Sequence, residues 1–383
     1  MSRRQSAEDH GWGGALLGTG WGRPDTFTVA TSLAARTTRF KPLIAIRPGY
    51  WRPAHFASAA ATLDQLSRGR VLVNIVSGQD NLAAYGDTEG DQAERYARTR
   101  EFMQIVRRLW TEEGVTFRGR YFTVEGSTLS LRPYRAEDGR YPRLYFGGAS
   151  AAAEQVSAAE ADVQLFWGEP LDGVAERIDR LKALAESAGR AHAPLEFGLR
   201  ITTLVRDTTE EAWRDAEAKV AQMAASTGKN LNDGHQRKAV GQARLLDLAE
   251  RGEVLDSCLY TTPGKFGAGG AWTTWLVGSH DEVAAALRRY QDLGITHFVL
   301  SDTPYRHEVV PCRRPVAQPA ARPGRRLKVR FVRRRRPDVL PLVAKAGRLE
   351  CGIPASWLDR QVRLAGRAPA GRPGCIDAVM CTV

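Results

Sequence analysis

Cysteine is nearly absent from the first 310 residues of this 383-residue sequence: Cys258 stands alone there, and Cys312, Cys351, Cys375 and Cys381 all follow. A disulfide scaffold is excluded for that body, and no spacing among the cysteines gives a C-x-x-C pair for zinc. Histidine is sparse too, and His55, His280 and His297 fall in no H-E-x-x-H grouping, so packing or surface roles are expected and no metal is implied. No apolar run approaches the roughly 18 residues of a membrane span. The opening MSRRQSAEDHGW also lacks the apolar stretch of a signal peptide, so a cytoplasmic location without membrane contact is expected. No G-x-G-x-x-G follows a predicted strand, which leaves no fingerprint for a nicotinamide dinucleotide.

An excess of either charge sign is missing from the body as well. The formal charge is +12, but residues 311–383 hold 17 of the 55 Lys and Arg and 4 of the 43 Asp and Glu, so residues 1–310 are close to neutral. Any electrostatic attraction for nucleic acid is therefore confined to the tail, whose run RPGRRLKVRFVRRRRP spans Arg322–Pro337. That tail shows no sustained helical or strand period and reads like an out-of-frame continuation. The chain divides on this basis into a body, 1–310, and an Arg/Pro-rich tail, 311–383.

What the body does have is alternation. Short apolar runs at Gly14–Leu17, Pro42–Ile46, Val71–Val76, Arg143–Phe146, Val163–Trp167, Phe197–Val205 and His297–Leu300 alternate with amphipathic stretches such as Pro53–Ser67, Glu94–Trp110, Val174–Ser187, Glu210–Ala225 and Asp281–Leu293. Repeated βα units predict a parallel sheet, and their number predicts an α/β fold, a TIM (β/α)8 barrel. Seven strands leave one short. The segment Gln5–His10 reads as a helix with no strand before it, and the switch to Arg, Pro, Gly and Cys after Val310 stands where a final apolar helix is expected. The barrel is read as lacking its first strand and final helix, with either a start further upstream or an open seam between the last strand and Gly14–Leu17. Two insertions interrupt the pattern, at 113–133, where FRGRYF reads as a hairpin, and at 226–272, which is polar and glycine-rich near its end.

The segment Tyr145-Phe146-Gly147-Gly148-Ala149-Ser150 runs into the helical stretch Ala151–Ala161. A strand ending in two glycines lets backbone approach an anion, and the helix start presents free N–H groups to it, so a phosphate site is predicted; an ordinary βα turn with a serine cap has the same appearance. Strand alternation places Gly198, Arg200 and Thr202 on one face of Phe197–Val205, and an arginine pointing into a barrel needs an anion or a carboxylate partner. Arg47 follows the same logic. The loop Gly264–Gly270 lacks the order of a phosphate-binding P-loop and reads as a lid.

The segments ATLDQLSRGRVLVNIVSGQD, ERYARTREFMQIVRRLW, YFGGAS, LFWGEP and FGLRITTLVRDTTEEAW resemble, in the same order and at similar spacings, the bacterial luciferase-like flavin-dependent monooxygenases, and within them the alkanesulfonate monooxygenase branch. The resemblance implies an FMN site lined by Ser77, Gly78, Tyr96, Gly148, Ala149 and Ser150. It also implies Arg200 as a substrate clamp, Lys265 as the charge of a closing loop and Tyr305 as a proton-transfer residue. Four positions depart from the family pattern: Gln92 and Thr202 stand where histidines are expected, Arg23 where a cysteine is, and Thr303 where a tyrosine is.

The implied activity uses reduced FMN (FMNH2) and O2 to oxygenate a small organosulfur substrate, desulfonating an alkanesulfonate to an aldehyde and sulfite. A separate NAD(P)H-dependent flavin reductase would supply the reduced FMN, and a homo-oligomer is expected. Two alternatives stay open: an oxidoreductase of the same fold using flavin or F420 on another substrate, and an inactive barrel whose basic tail binds nucleic acid.

Overall fold

The computed structural model describes residues 12–20, 22–78, 82–87, 91–190, 192–227, 240–266, 273–301 and 378–382. β1 (Gly14–Leu17), α1 (Thr26–Arg36), β2 (Lys41–Ile46), α2 (Pro53–Ser67), β3 (Leu72–Ile75) and α3 (Gln92–Thr111) run in that order. A hairpin of β4 (Val115–Arg118) and β5 (Thr123–Ser127) follows, then β6 (Arg143–Phe146), α4 (Ala151–Glu160), β7 (Val163–Trp167), α5 (Leu171–Ser187) and β8 (Glu196–Arg206). Next come α6 (Thr209–Thr227), α7 (Val240–Arg251), β9 (Val254–Leu255), β10 (Leu259–Tyr260), β11 (Trp275–Ser279), α8 (His280–Asp292), β12 (Ile295–Ser301) and β13 (Ala378–Thr382).

Local chemistry sets several of these boundaries. Asp25 caps α1 by accepting from Thr28 N–H, and Asp91 caps α3 by accepting from Ala93 and Glu94 N–H. Pro53 opens α2, where its missing N–H costs nothing, and Arg68 ends it in the left-handed conformation. Ser279 and Glu282 form a capping box at the start of α8.

Eight strands pair in parallel and close into a ring in the order β1, β2, β3, β6, β7, β8, β12, β13 and back to β1. This is the TIM barrel that the alternation predicts. The seam expected to be open is bridged. No strand precedes β1 among the described residues; instead β13, from the C-terminal tail, lies between the two edges, with Met380 opposite Gly14 on one side and Val299 on the other. Unpaired backbone donors and acceptors on β1 and β12 supply the physical reason, because a five-residue strand satisfies both edges at once.

Alternation along each strand separates two cores. Leu16, Leu43, Ala45, Tyr145, Val163, Leu165 and Val299 cluster inside the ring. Their neighbours Ala15, Leu17, Ile44, Ile46, Leu144, Phe146, Phe166, Leu199 and Ile201 face outward into a second cluster shared with the helices. β8 is long enough to serve twice. Its first half flanks β12 inside the ring, while Thr202–Arg206 pair with β11, which continues antiparallel into β10 and β9. Among the described residues no helix is long and apolar enough to cross a membrane.

The closing strand yields a direct prediction. Deleting residues 378–383 should lower the Tm by about 4 °C or more, and the exposed edges should promote concentration-dependent association visible by light scattering. An unchanged Tm and a monodisperse sample would show that β13 contributes nothing to closure.

The N-terminal mouth of the ring is plugged by polar groups. His297, 5% exposed, places Nδ1 3.0 Å from the Tyr145 hydroxyl and Nε2 2.6 Å from Glu196, and Arg143 donates to the same carboxylate at 2.8 Å. The hydrogen bond from His297 is the largest influence on Glu196. Together with Arg143 it outweighs burial and lowers the carboxyl from 4.5 to about 2. A carboxyl depressed in the folded state stabilises the fold above its ordinary value, and that contribution is lost as pH falls from 4.5 toward 2. Denaturant midpoints of Glu196→Gln should therefore fall less steeply than wild type over that acid range, and parallel curves would show the network to be inert.

Candidate cofactor and substrate site

The opposite, C-terminal ends of the barrel strands surround a cavity of about 320 Å³. Its wall takes Asn74–Gly78 from the end of β3, Gly147–Ser150 from the turn after β6, Leu165–Trp167 from β7 and Arg200 from β8. Leu16 contributes from β1, Gln92, Arg95 and Tyr96 from α3, and Val240 and Gly241 from α7. All six residues expected at an FMN site, Ser77, Gly78, Tyr96, Gly148, Ala149 and Ser150, lie on this one surface together with Arg200.

The turn after β6 is built for close approach. Gly148 has φ +155°, and a Cβ there would sit 2.5 Å from the Ala153 Cβ and 3.6 Å from the Tyr96 hydroxyl. At Gly147 a Cβ would lie 3.3 Å from the carbonyl oxygen of Leu165. A side chain is therefore excluded at Gly148 and crowded at Gly147, and bare backbone faces the cavity. Ser150 caps α4 by accepting from Ala153 N–H at 3.3 Å. Both readings of this turn hold together, since the serine cap and the helix start that favours anions belong to the same residues.

The loop after β3 is held from three sides. Arg47 donates to the Gly78 carbonyl at 2.5 Å, Arg95 Nε donates to the Ser77 carbonyl at 3.3 Å, and the Ser77 and Thr99 hydroxyls hydrogen-bond at 2.6 Å. Arg47 thus orients a loop of the wall and is not itself part of the lining. Tyr96 packs edge-on against Phe146, with centroids 6.2 Å apart, and also faces the cavity, so it combines a packing role with a place in the wall.

Arg200 points inward from β8 as the alternation predicts, with its outward neighbours Leu199 and Ile201 in the helix-facing core. Its guanidinium carbon lies 6.0 Å from the Trp167 ring centroid, which brings a cation and an aromatic face to the same side of the cavity. Gln92, at a position where the resemblance expects a histidine, lines the cavity; Thr202 is fully buried and does not. Lys265 ends a short 3-10 turn, Thr262–Lys265, and is not among the lining residues. Tyr305 and the glycines Gly267–Gly270 lie outside the described residues.

Sequence reasoning singled out neither Asn74, Trp167, Arg95 nor the start of α7. Asn74 carried a usable signal, being an amide in the apolar run VLVNIV where the other inward positions, Leu72 and Val76, are apolar. Arg95 did not, since a charged residue on a helix normally marks a solvated face.

A parallel barrel with a glycine turn at a helix start, an aromatic wall and an inward arginine is an arrangement able to receive a phosphorylated ligand at its C-terminal mouth. Residues 3–297 match the luciferase-like monooxygenases, and the chain belongs to that family. Among solved structures it is similar to EDTA monooxygenase EmoA from Chelativorans sp. BNC1, at 17% identity and TM-score 0.62 over 80% of this chain and 84% of that one. It is similar to riboflavin lyase RcaE with modified FMN and substrate riboflavin, at 20% identity and TM-score 0.61 over 80% of each chain. It is also similar to the coenzyme F420-dependent tetrahydromethanopterin reductase of Methanopyrus kandleri, at 17% identity and TM-score 0.59 over 82% of this chain and 92% of that one. At such identities these likenesses speak to the shared barrel.

Proposed function

We propose that the chain is an FMNH2-dependent monooxygenase of small organosulfur compounds, with an alkanesulfonate as the substrate class and an aldehyde and sulfite as products. The observation that carries this reading is the cavity in which the Gly147–Ser150 turn, Ser77 and Gly78, Tyr96 and Arg200 meet. The turn suits an FMN phosphate, because Gly148 tolerates no Cβ and the start of α4 offers backbone N–H groups. Leu16, Val76, Leu165 and Trp167 give the apolar wall that a flavin ring needs.

Bound reduced flavin supplies the two electrons for activating O2. Overall, alkanesulfonate, O2 and reduced FMN would give aldehyde, sulfite, oxidised FMN and water. Arg200 would hold the sulfonate oxygens through its fork of donors and stabilise the negative charge of the departing sulfite. The apolar wall would exclude water from the reacting atoms. Tyr305 remains the proposed proton-transfer residue and Lys265 the proposed charge of a covering loop. Delivery of reduced FMN by a separate NAD(P)H-dependent flavin reductase follows from the missing dinucleotide fingerprint.

A second reading, an F420-dependent oxidoreductase, is favoured by the likeness to the Methanopyrus kandleri reductase. Parallel titrations with FMN and F420, followed by sulfite assays on a panel of alkanesulfonates with a flavin reductase and O2, separate the two. Micromolar FMN binding with sulfite release is expected. F420 binding about a hundredfold tighter than FMN, with no sulfite from any substrate, would establish the second reading, and binding of neither would overturn both.

A further inference from the structure

Three arms of one buried guanidinium converge behind the phosphate turn. Arg177, on α5, is 2% exposed and lies outside the cavity lining. Its Nε donates to Glu154 at 2.8 Å, Nη1 to Glu169 at 3.0 Å and Nη2 to the carbonyl oxygen of Gly148 at 2.6 Å, while its carbon sits 4.8 Å from the Phe166 ring centroid. Gln164 Nε2 donates to the same Gly148 oxygen at 3.3 Å. Glu154 also binds Arg180, and Glu169 takes both arms of Arg244 on α7 at 2.9 and 2.8 Å. Since Val240 and Gly241 of α7 line the cavity, the chain of ions runs from the covering helix to the turn.

The geometry points to Arg177 as a positioning residue that fixes the Gly148–Ala149 peptide for the cofactor phosphate and so sets the preference for phosphorylated over unphosphorylated flavin. The inference rests on the flavin site proposed above. In a trans peptide the C=O and the following N–H point in opposite directions. A Gly148 oxygen held by Arg177 behind the wall therefore turns the Ala149 N–H toward the cavity. Arg177 acts by direction more than by charge, because two carboxylates at hydrogen-bond distance offset its cation. Burial alone would raise the Glu154 carboxyl, but hydrogen bonds from Arg180 and the charge of Arg177 outweigh it and keep it ionised. The planar fork spans three partners at fixed angles, which the point charge of a lysine does not reproduce.

A role in holding α4 to α5 would affect all flavins alike; a role in orienting the turn affects only those with a phosphate. FMN and riboflavin are titrated against wild type, Arg177→Lys, Arg177→Met and Gln164→Leu, with circular dichroism and Tm on each. Wild type should prefer FMN by about a hundredfold. Both Arg177 variants should bind FMN about tenfold to a hundredfold more weakly and riboflavin within about threefold of wild type. Gln164→Leu, which introduces no buried charge, should shrink the preference by about threefold.

Equal losses for both flavins, or an unchanged preference in either Arg177 variant, overturn the assignment. Should the arginine variants fail to fold, Gln164→Leu decides, and an unchanged preference there overturns it. Binding of neither flavin by wild type would instead sink the site reading itself, and the assignment with it.

Discussion

Gly148→Val should weaken FMN binding by about a hundredfold or more while leaving the barrel folded. Two effects add. The backbone at Gly148 sits at φ +155°, where a β-branched residue is strained, and the new Cβ would lie 2.5 Å from the Ala153 Cβ, closer than atoms can pack. The cheapest relief is a shift of the turn, which moves Ala149 and Ser150 off the cavity wall and spoils the start of α4 as an anion site. The turn is at the mouth and outside the ring of strand pairs, so far-ultraviolet circular dichroism should change little. FMN affinity within about threefold of wild type would show that the turn is not the phosphate site.

Arg200→Met should separate chemistry from cofactor binding. Methionine fills similar volume beside Trp167 and Leu165 while removing the cation. FMN affinity should stay within about threefold, and kcat/KM for an alkanesulfonate should fall by about a hundredfold to a thousandfold, or about 3–4 kcal/mol of transition-state stabilisation. A loss in KM with kcat preserved would place Arg200 on the bound substrate alone; equal turnover by both proteins would remove it from the reaction.

Much of the barrel was legible because period and position agree. Gly14–Leu17, Arg143–Phe146 and Val163–Trp167 read from the sequence as strands and pair residue for residue over those spans. α1 was less visible, since Thr26, Thr28, Val29 and Thr31 dilute helical propensity. It is fixed instead by the Asp25 cap and by the Thr26 hydroxyl donating to Ala45 in the adjacent strand. β11 sits beside a glycine-rich stretch that reads as loop, and pairing with the long upper half of β8 makes it a strand. AVMCT in β13 is too short and too isolated in an Arg/Pro context to signal anything alone; only the vacant edges of β1 and β12 give it a partner.

The candidate site was legible where backbone chemistry demands a residue type and obscure where side chains meet from distant units. Two glycines before a helix announce a phosphate turn. Arg177 sits in ERIDRLK, which reads as an ordinary charged helix face. Its burial follows from Glu154, on α4, and Glu169, in the turn after β7, which belong to two different βα units. Lys265 shows the converse, a residue suggested by resemblance whose described position is away from the cavity wall.

Closure by β13 also bears on how the molecule is made. Gly14 pairs with Met380, so contacts that complete the ring join stretches separated by nearly the entire polypeptide. During synthesis the other seven strands emerge first and must wait as an unclosed, curved sheet until residues 378–382 leave the ribosome. Over that interval the β1 and β12 edges of each nascent copy are open to strands from any neighbour. Yield should therefore depend on chaperones and on translation rate more steeply than for a barrel that seals in chain order.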